Sequence, residues 1–221
     1  MRTYGQYCAV ARGLDVVGDR WTLLIVRELL SLGPSRYADL HRGLPGIATN
    51  LLATRLRELE AAGLVIRTQL PRPASAVVFE LTPRGAALEG TLRELVKWGA
   101  PTMSTPSPQE EFRAHWLQLP LRGLCRDNTP DAPRQVVRVG SVEDGCDVAV
   151  GGGAVDVAAS TPASDPAATV DGEPGALVAL FTGQLPVDAA ASAGMITGDV
   201  AAVRRVIGGF ASGMPRQEAP S

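Results

Sequence analysis

The side chains best able to do chemistry in this 221-residue chain are three cysteines, two histidines and a few neighbouring carboxylates. Cys8, Cys125 and Cys146 are odd in number and far apart, and neither His41 nor His115 completes a zinc-ligand spacing with them. Disulfide frameworks need paired cysteines, and zinc sites need closely spaced Cys and His ligands. The sequence therefore predicts no metal and no cofactor.

Other candidates for acid–base chemistry have simpler explanations. His115 stands in a helical pattern, where we expect it on the helix surface rather than as a catalytic base. The carboxylate pairs Glu110-Glu111 and Glu143-Asp144 stand where helix starts and turns place acidic residues. We predict no catalytic residue and a protein that is not an enzyme.

Cys8 is a candidate reactive thiol, because thiolate is the reactive form of cysteine and is favoured by exposure and nearby positive charge. Arg12 follows one helical turn later and would supply that charge. The alternative is a small residue buried at a dimer interface, since free cysteine often packs as an apolar side chain. Both interpretations are open at the level of sequence.

A helical segment over residues 48–62 carries the side chains best suited to reading DNA bases. Its leucines recur with helical spacing and define an inward side. Small, amide and guanidinium side chains occupy the other side, and in the major groove Asn pairs with adenine and Arg with guanine. A solvated helix surface is the alternative. The inward residues are Leu52, Leu56 and Leu59, with Leu51 beside them, and the outward candidates are Thr49, Asn50, Ala53, Thr54 and Arg57.

The segments on either side of this helix predict a winged helix-turn-helix. Residues 8–30 have a helical pattern with a break at Gly18-Asp19, and Asp19 is expected to cap the second part. A short helix over 36–42 and a Gly-containing turn lead into the 48–62 helix. The inward residues expected in the second part of the first segment are Trp21, Leu24, Ile25 and Leu29.

Two strand-like runs, residues 64–70 and 76–82, follow the 48–62 helix and predict a β-hairpin, the wing. Arg72 in the connecting segment is expected to contact a minor groove or a phosphate. A further helix is predicted from Thr82-Pro83-Arg84, with Pro at its first position.

Charge and proline content divide the chain. Residues 1–100 carry a net charge of +4 and residues 101–221 a net charge of −6, so a polyanionic partner would meet the first half. Residues 100–108 hold three prolines and four hydroxyl residues, which neither a helix nor a central strand accommodates. The predicted organisation is a domain at 1–100, a linker at 101–109, a second domain at 110–214 and a tail at 215–221.

The second half predicts an antiparallel sheet covered by helices. Pro120 is expected to bend or split its first helix, and Asp199 to cap its last. The predicted strands are 135–139, 146–150, 154–158, 167–170 and 195–197, and the predicted helices are 110–126, 176–182, 187–193 and 199–210.

Over residues 5–100 the chain resembles the HxlR-type family of MarR-like winged-helix regulators. The motifs are Leu14-Asp-Val-Val-Gly-Asp-Arg-Trp-Thr-Leu-Leu-Ile25, Arg36-Tyr-Ala-Asp-Leu40, Leu51-Leu-Ala-Thr-Arg-Leu-Arg-Glu-Leu59 and Glu80-Leu-Thr-Pro-Arg-Gly85. The resemblance implies a homodimer joined by N-terminal and C-terminal helices, with two recognition helices on a pseudo-palindromic operator. It places Thr49, Asn50, Ala53 and Thr54 against bases, and Arg36 and the wing near phosphates. Ala76 departs from the family, which often has Arg there.

Residues 110–212 resemble sterol-carrier-like domains. The motifs are Ala168-Thr-Val-Asp-Gly-Glu-Pro-Gly-Ala-Leu-Val-Ala-Leu-Phe-Thr-Gly183 and Ala189-Ala-Ala-Ser-Ala-Gly-Met-Ile-Thr-Gly-Asp-Val200. The resemblance implies a hydrophobic cavity for an apolar ligand between the sheet and its helices. The alternative is that the same side chains are ordinary core residues. The candidate wall residues are Trp116, Leu180, Phe181, Met195, Ile207 and Phe210.

We therefore expect an α+β protein, a winged helix-turn-helix domain followed by a sterol-carrier-like α/β sandwich. The expected function is transcriptional regulation, most simply repression, by a homodimer whose affinity for a double-stranded DNA operator changes when a small apolar effector binds. The alternatives are a redox regulator switching through Cys8 with the second domain as a dimerisation scaffold, and an apolar-ligand carrier or interaction module. No apolar run long enough for a signal peptide or a membrane span is present, so we expect no membrane partner and a cytoplasmic location.

Overall fold

The computed structural model describes residues 3–71, 73, 75–100, 103, 107 and 109–207. The chain divides into two compact units, residues 1–92 and 93–221. Most of the predicted linker, all of the predicted tail, and the two predicted site residues Arg72 and Phe210 lie outside the described residues. No helix among the described residues is long and apolar enough to cross a membrane.

The first unit contains a three-stranded antiparallel sheet of order β1-β3-β2 and most of its residues are helical. Its helices are α1 (Ala9–Val17), α2 (Thr22–Leu32), α3 (Tyr37–Arg42), α4 (Thr49–Ala61), α5 (Pro83–Ala86) and α6 (Glu89–Gly99), the last of which extends past residue 92. Its strands are β1 (Ser35–Arg36), β2 (Val65–Gln69) and β3 (Val77–Leu81).

Apolar spacing on α4 determines which side of that helix is buried. Leu52, Leu56 and Leu59 are at most 2% exposed, because they follow one side of a 3.6-residue helix. The hairpin β2–β3 packs behind them through Val65, 1% exposed, and Phe79, 9% exposed. The predicted helix and the predicted wing strands are both confirmed.

Three details of the first unit differ from prediction. Asp19 does not cap α2 with its side chain. The N-cap residue is Trp21, in the left-handed region at φ 81°, and the carboxylate of Asp19 binds Arg55 instead. Leu24, predicted to face inward, is 39% exposed. The single helix predicted from Pro83 is two helices, α5 and α6.

A hydrogen-bonded junction joins the end of α4 to the start of α5. The Thr82 hydroxyl donates to the Gly63 carbonyl oxygen at 2.8 Å and accepts from the Gly85 backbone N–H at 3.1 Å. A Cβ atom at position 85 would lie 2.1 Å from the Leu64 carbonyl oxygen, so only glycine fits there. Arg84 donates to the Ala62 carbonyl oxygen at 3.0 Å. This junction fixes the C-terminal end of α4.

The second unit is a five-stranded mixed sheet with helices packed on it, in the order β6-β5-β4-β7-β8. β7 runs parallel to β4 and all other neighbours are antiparallel, so the predicted all-antiparallel sheet is corrected. Its strands are β4 (Gln135–Gly140), β5 (Gly145–Gly151), β6 (Ala154–Ala159), β7 (Ala168–Val170) and β8 (Ile196–Gly198). Its helices are a 3-10 turn (Ala114–Leu117), α7 (Gln118–Leu124), α8 (Pro174–Phe181), α9 (Val187–Ser192) and α10 (Val200–Val206).

The core of the second unit lies between one side of the sheet and these helices. Val137 and Val139 of β4 alternate inward, since successive side chains of a strand point to opposite sides. Leu121 of α7, Leu177 of α8 and Val203 of α10 meet them from the helix layer. Asp199 caps α10 as predicted, accepting from the Ala201 backbone N–H at 2.8 Å.

Two predictions at the start of this unit are wrong. The helix expected over residues 110–126 is a short 3-10 turn followed by α7, and Pro120 lies in the first turn of α7, where proline is tolerated. His115 is not on the surface. It is 7% exposed, and its Nδ1 atom lies 2.6 Å from Asp144 Oδ1.

We expect Gly85→Ala to destabilise the first unit by about 1–3 kcal/mol, because the new methyl group overlaps backbone that packing holds in place. Gly90→Ala on α6 is the matched control. No atom lies within 4 Å of a Cβ at position 90, so alanine should be neutral or stabilising there. Urea unfolding, monitored by hydrogen exchange of peptides from the first unit, measures the stability of both variants. Equal stability of the two would contradict the overlap assigned to position 85.

Candidate nucleic-acid interface

The outward side of α4 gathers all five of the helix residues predicted to meet bases. Thr49, Asn50 and Arg57 are exposed, and Ala53 and Thr54 are half-buried between them. The leucines on the opposite side of α4 are buried in the core, so these five side chains form one continuous solvent-facing surface. We call this surface the α4 face.

Hydrogen bonds arrange the side chains of the α4 face. The Thr54 hydroxyl donates to the Asn50 carbonyl oxygen at 2.9 Å. Arg57 lies back along the helix and donates to the Ala53 carbonyl oxygen at 3.3 Å and to Thr54 Oγ1 at 3.1 Å. Within the described residues the Asn50 amide has no hydrogen bond. Asn50 therefore presents a donor and an acceptor to solvent, as pairing with adenine requires.

Two contacts that the sequence analysis missed hold α4 in place. The Tyr37 hydroxyl of α3 donates to the Thr49 carbonyl oxygen at 2.6 Å, at the first residue of α4. Arg55 Nη1 lies 2.5 Å from both Asp19 Oδ2 and Glu58 Oε2, and its side chain is only 18% exposed. Arg55 is therefore bound to these two carboxylates, on the side of α4 away from the α4 face. The i, i+3 spacing of Arg55 and Glu58 was the one sequence signal for this contact.

Two exposed arginines lie on other elements of the first unit. Arg36 is exposed at the N-cap position of α3, where β1 pairs with β3. Arg67 of β2 is also exposed and was not predicted. Both are candidates for phosphate contacts, which position a protein on DNA without reading its sequence.

Cys8 is exposed in the single chain, and its burial at a dimer interface stays a prediction. The backbone N–H groups of Ala11 and Val10, in the first turn of α1, lower the pKa of the Cys8 thiol below its ordinary value. The backbone at the start of α1 thus lowers this pKa, whereas the guanidinium of Arg12 was expected to do so. Burial raises the pKa of the Cys125 thiol to about 12 and that of Cys146 still further.

The residues predicted to line an apolar cavity lie in and around the core of the second unit. Leu180 and Phe181 are buried within it, at 0% and 2% exposure. Met195 and Ile207 are half-buried and pack against it, and Trp116 is also half-buried. No group of three or more His, Cys, Asp or Glu side chains among the described residues is arranged to hold a metal ion.

Known proteins share this sequence pattern. Residues 16–106 match the HxlR-like helix-turn-helix family. The chain is 36% identical over 87 residues to the uncharacterised HTH-type transcriptional regulator YvaP of Bacillus subtilis strain 168, an alignment covering 39% of this chain and 80% of YvaP. The chain belongs to the HxlR-like helix-turn-helix family.

Two further relatives of this HxlR-like chain have been described. The HTH-type transcriptional regulator YodB of Bacillus subtilis strain 168 is 36% identical over 84 residues, covering 38% of this chain and 74% of YodB. A solved structure, the redox regulator HypR in its oxidised form, is 32% identical and covers 44% of this chain and 99% of HypR, with a TM-score of 0.39. The family match ends at residue 106, before the sheet of the second unit.

We expect iodoacetamide to alkylate Cys8 alone in the folded protein, with a rate that rises with pH and reaches half its maximum at a lower pH than for an unperturbed cysteine thiol. The lowered pKa means that thiolate is populated from a lower pH, and burial shields the other two cysteines. Mass spectrometry of labelled peptides measures this. Cys8→Ser is the control, and equal labelling of Cys125 or Cys146 would contradict the assignment.

Proposed function

We propose that this HxlR-like protein is a DNA-binding transcriptional regulator, most simply a repressor, that acts as a homodimer on a pseudo-palindromic operator. We further propose that its second unit holds a small apolar effector that changes its affinity for DNA. The observation that carries the proposal is the α4 face, a solvent-facing row of small and polar side chains on a helix whose opposite leucines are buried.

The α4 face has the chemistry that the major groove reads. Asn50 lies in the first turn of α4, where an amide can bond adenine N6 and N7, and the methyl groups of Thr49 and Ala53 suit contact with thymine. Arg57 can exchange its bonds to Ala53 and Thr54 for the O6 and N7 atoms of guanine. Thr54, bonded to the helix backbone, contributes shape more than hydrogen bonds.

Arginines outside α4 are assigned to the DNA backbone. Arg36 at the start of α3 and Arg72 in the wing would each neutralise a phosphate and so contribute to affinity for every sequence. The positive net charge of residues 1–100 agrees with this division of roles. Base contacts by α4 then choose the sequence, and the flanking arginines set the register.

Exposed apolar side chains on α1 support a homodimer. Val10 and Leu14 of α1 are 70% and 45% exposed and lie one helical turn apart, and Tyr7, just before the helix, is fully exposed. Leu95 and Trp98 of α6 are 45% and 77% exposed. Large exposed apolar surface on a folded protein commonly marks an interface, and a second copy covers these helices in the arrangement that we propose. Two α4 helices would then engage half-sites about one helical turn apart.

The effector is assigned to the second unit through its likeness to sterol-carrier-like domains. Half-buried Trp116, Met195 and Ile207 at the margin of the core are the walls that a ligand would meet first, and Leu180 and Phe181 would form the floor. Met195 is suited to this role because its unbranched thioether adapts to different shapes. A ligand that binds one dimer geometry better than the other changes DNA affinity by the same coupling, typically about 1–3 kcal/mol.

Cys8 supports a second candidate function, a redox- or electrophile-sensing regulator with the second unit as a dimerisation scaffold. The specific observation is an exposed thiol whose pKa is lowered by the start of α1, beside the apolar side chains assigned to the dimer. Oxidation or alkylation there would alter the dimer. In this case Cys8→Ser retains DNA affinity and loses its response to diamide, whereas in the effector mechanism both wild type and variant ignore diamide.

We expect Asn50→Ala to lose about 1–3 kcal/mol of discrimination at one base position, because only a base contact is removed. Arg36→Ala should weaken binding to all sequences alike and lower the slope of log K against log salt by about one. Operator selection followed by titrations at several salt concentrations measures both effects. Identical behaviour of the two variants would refute the separation of base and backbone contacts.

The effector is tested by native mass spectrometry of protein purified from its own host, followed by extraction of bound molecules. We expect one apolar molecule per chain, and its addition to stripped protein should change operator affinity at fixed salt by about 5-fold to 150-fold. Uptake of the molecule with no operator binding would instead favour the carrier function. An empty dimer unaffected by apolar compounds would favour the scaffold and Cys8.

A further inference from the structure

Gln118, the first residue of α7, has a side-chain amide that is buried without a hydrogen bond. The residue is 1% exposed. Within the described part of the chain, neither its Oε1 atom nor its Nε2 atom has a hydrogen-bonding partner. An amide offers two donors and an acceptor, and folded proteins bond nearly all such groups once they are removed from water. The proposed function gives this amide no role.

The charged side chains buried in the same unit are bonded. Arg138 donates to the two carboxylate oxygens of Asp147 at 2.8 Å and 3.0 Å. Arg205 donates to Asp127 at 2.8 Å and to the Pro133 carbonyl oxygen at 2.6 Å. A buried polar group that lacks a partner destabilises a protein, so such groups are normally satisfied in this way. The amide at position 118 departs from the pattern of its own unit, and its partner comes from outside the chain.

The turn before α7 places Gln118 at one end of the sheet. This 3-10 turn packs against the carboxyl end of β4, where a Cβ atom at Gly140 would lie 2.5 Å from the Ala114 Cβ. Trp116, one of the walls proposed for the effector, belongs to the same turn and is half-buried. Gln118 follows it by two residues.

The end of β7 brings Met195, a second proposed wall, to the same end of the sheet. β7 runs parallel to β4 with Val170 opposite Val139, so the two strands end side by side. Just after β7, the Asp171 backbone N–H donates to the Met195 carbonyl oxygen at 2.9 Å. Two walls assigned to the effector, from two separate segments, therefore lie at the end of the unit that holds Gln118.

Charges on the neighbouring turns favour a neutral ligand group. Residues three and four apart on a helix are neighbours. His115 precedes Gln118 by three residues, and its Nδ1 atom lies 2.6 Å from Asp144 Oδ1. Arg122 follows by four residues and donates to the Val157 carbonyl oxygen from Nε at 3.2 Å and from Nη2 at 3.1 Å. A ligand carboxylate would meet the charge of Asp144 and would have to draw Arg122 away from β6, whereas a neutral group does neither.

We propose that Gln118 recognises the effector of the second unit, and that this effector carries a neutral head group with a donor and an acceptor side by side, as a primary carboxamide or a lactam has. The inference rests on the proposed function, which places the effector in this unit. Nε2 donates to the ligand carbonyl oxygen and Oε1 accepts from the ligand N–H, the paired arrangement that amide side chains make with adenine. Trp116 and Met195 contact the apolar body.

The direct test is an NMR titration of the full-length protein, without DNA, with octanamide as the probe. Its flexible alkyl tail adapts to apolar surroundings of any shape. We expect saturable shifts of the Gln118 side-chain N–H signals. Methyl octanoate keeps the tail and an acceptor but has no donor, and octanoate is charged at neutral pH. Both should bind at least about tenfold more weakly, because each leaves a buried polar group unsatisfied.

Gln118→Met tests the residue itself, because methionine has a similar length and no amide. This variant should bind octanamide at least about tenfold more weakly than the wild type does, and it should no longer prefer octanamide to methyl octanoate. Its urea midpoint should be equal or higher, since an apolar side chain of similar volume replaces an unsatisfied amide. Gln184→Met, at an exposed glutamine of the same unit, is the matched control and should leave octanamide binding unchanged.

Three results would overturn the proposal. They are no binding of octanamide, equal binding of methyl octanoate or octanoate by the wild type, and an unchanged preference for octanamide in Gln118→Met. The last would assign the amide to a buried water molecule instead.

Failure of the proposed function has a different signature. Binding of octanamide through Gln118 with no change in operator affinity would leave this assignment intact and refute the effector mechanism. An extracted effector that changes operator affinity equally in the wild type and in Gln118→Met would refute the role of Gln118 alone.

Discussion

Burial of the leucines of α4 is the constraint on which the rest of the first unit depends. Leu52, Leu56 and Leu59 are almost completely removed from water, and each such side chain contributes about 1.5–3 kcal/mol. Because the three are spaced along one side of the helix, their burial determines which residues face outward. The same packing that stabilises the unit therefore presents Asn50 and Arg57 to solvent.

Polar contacts convert that orientation into a fixed position. Hydrophobic packing is not directional, so it permits α4 to slide or rotate slightly, whereas hydrogen bonds at both ends do not. Tyr37 holds the first residue of α4, and the Thr82 junction holds the turn that follows the helix. Glu28 of α2 is also fully buried. Its carboxylate lies against Gly43 at the end of α3, where a Cβ atom would overlap with it.

The spacing of apolar residues and the turn residues predicted those elements that neighbouring residues in the sequence determine. The bounds of α4, the two wing strands, the cap of α10 by Asp199 and the first three strands of the sheet all follow from spacing and turn chemistry. Three of the errors concern partners that are distant in the sequence. Asp19 binds Arg55, His115 binds Asp144, and β7 pairs in parallel with β4, and none of these partnerships leaves a periodic trace in the sequence. On the α4 face the sequence could identify the outward residues, but not that Tyr37 and Arg55 position them.

The effector proposed for the second unit can suppress DNA binding only to a limited extent. It acts through a change of geometry, so its effect saturates at the coupling free energy, however much ligand is present. A plateau of operator affinity at high ligand concentration is therefore the signature of this mechanism.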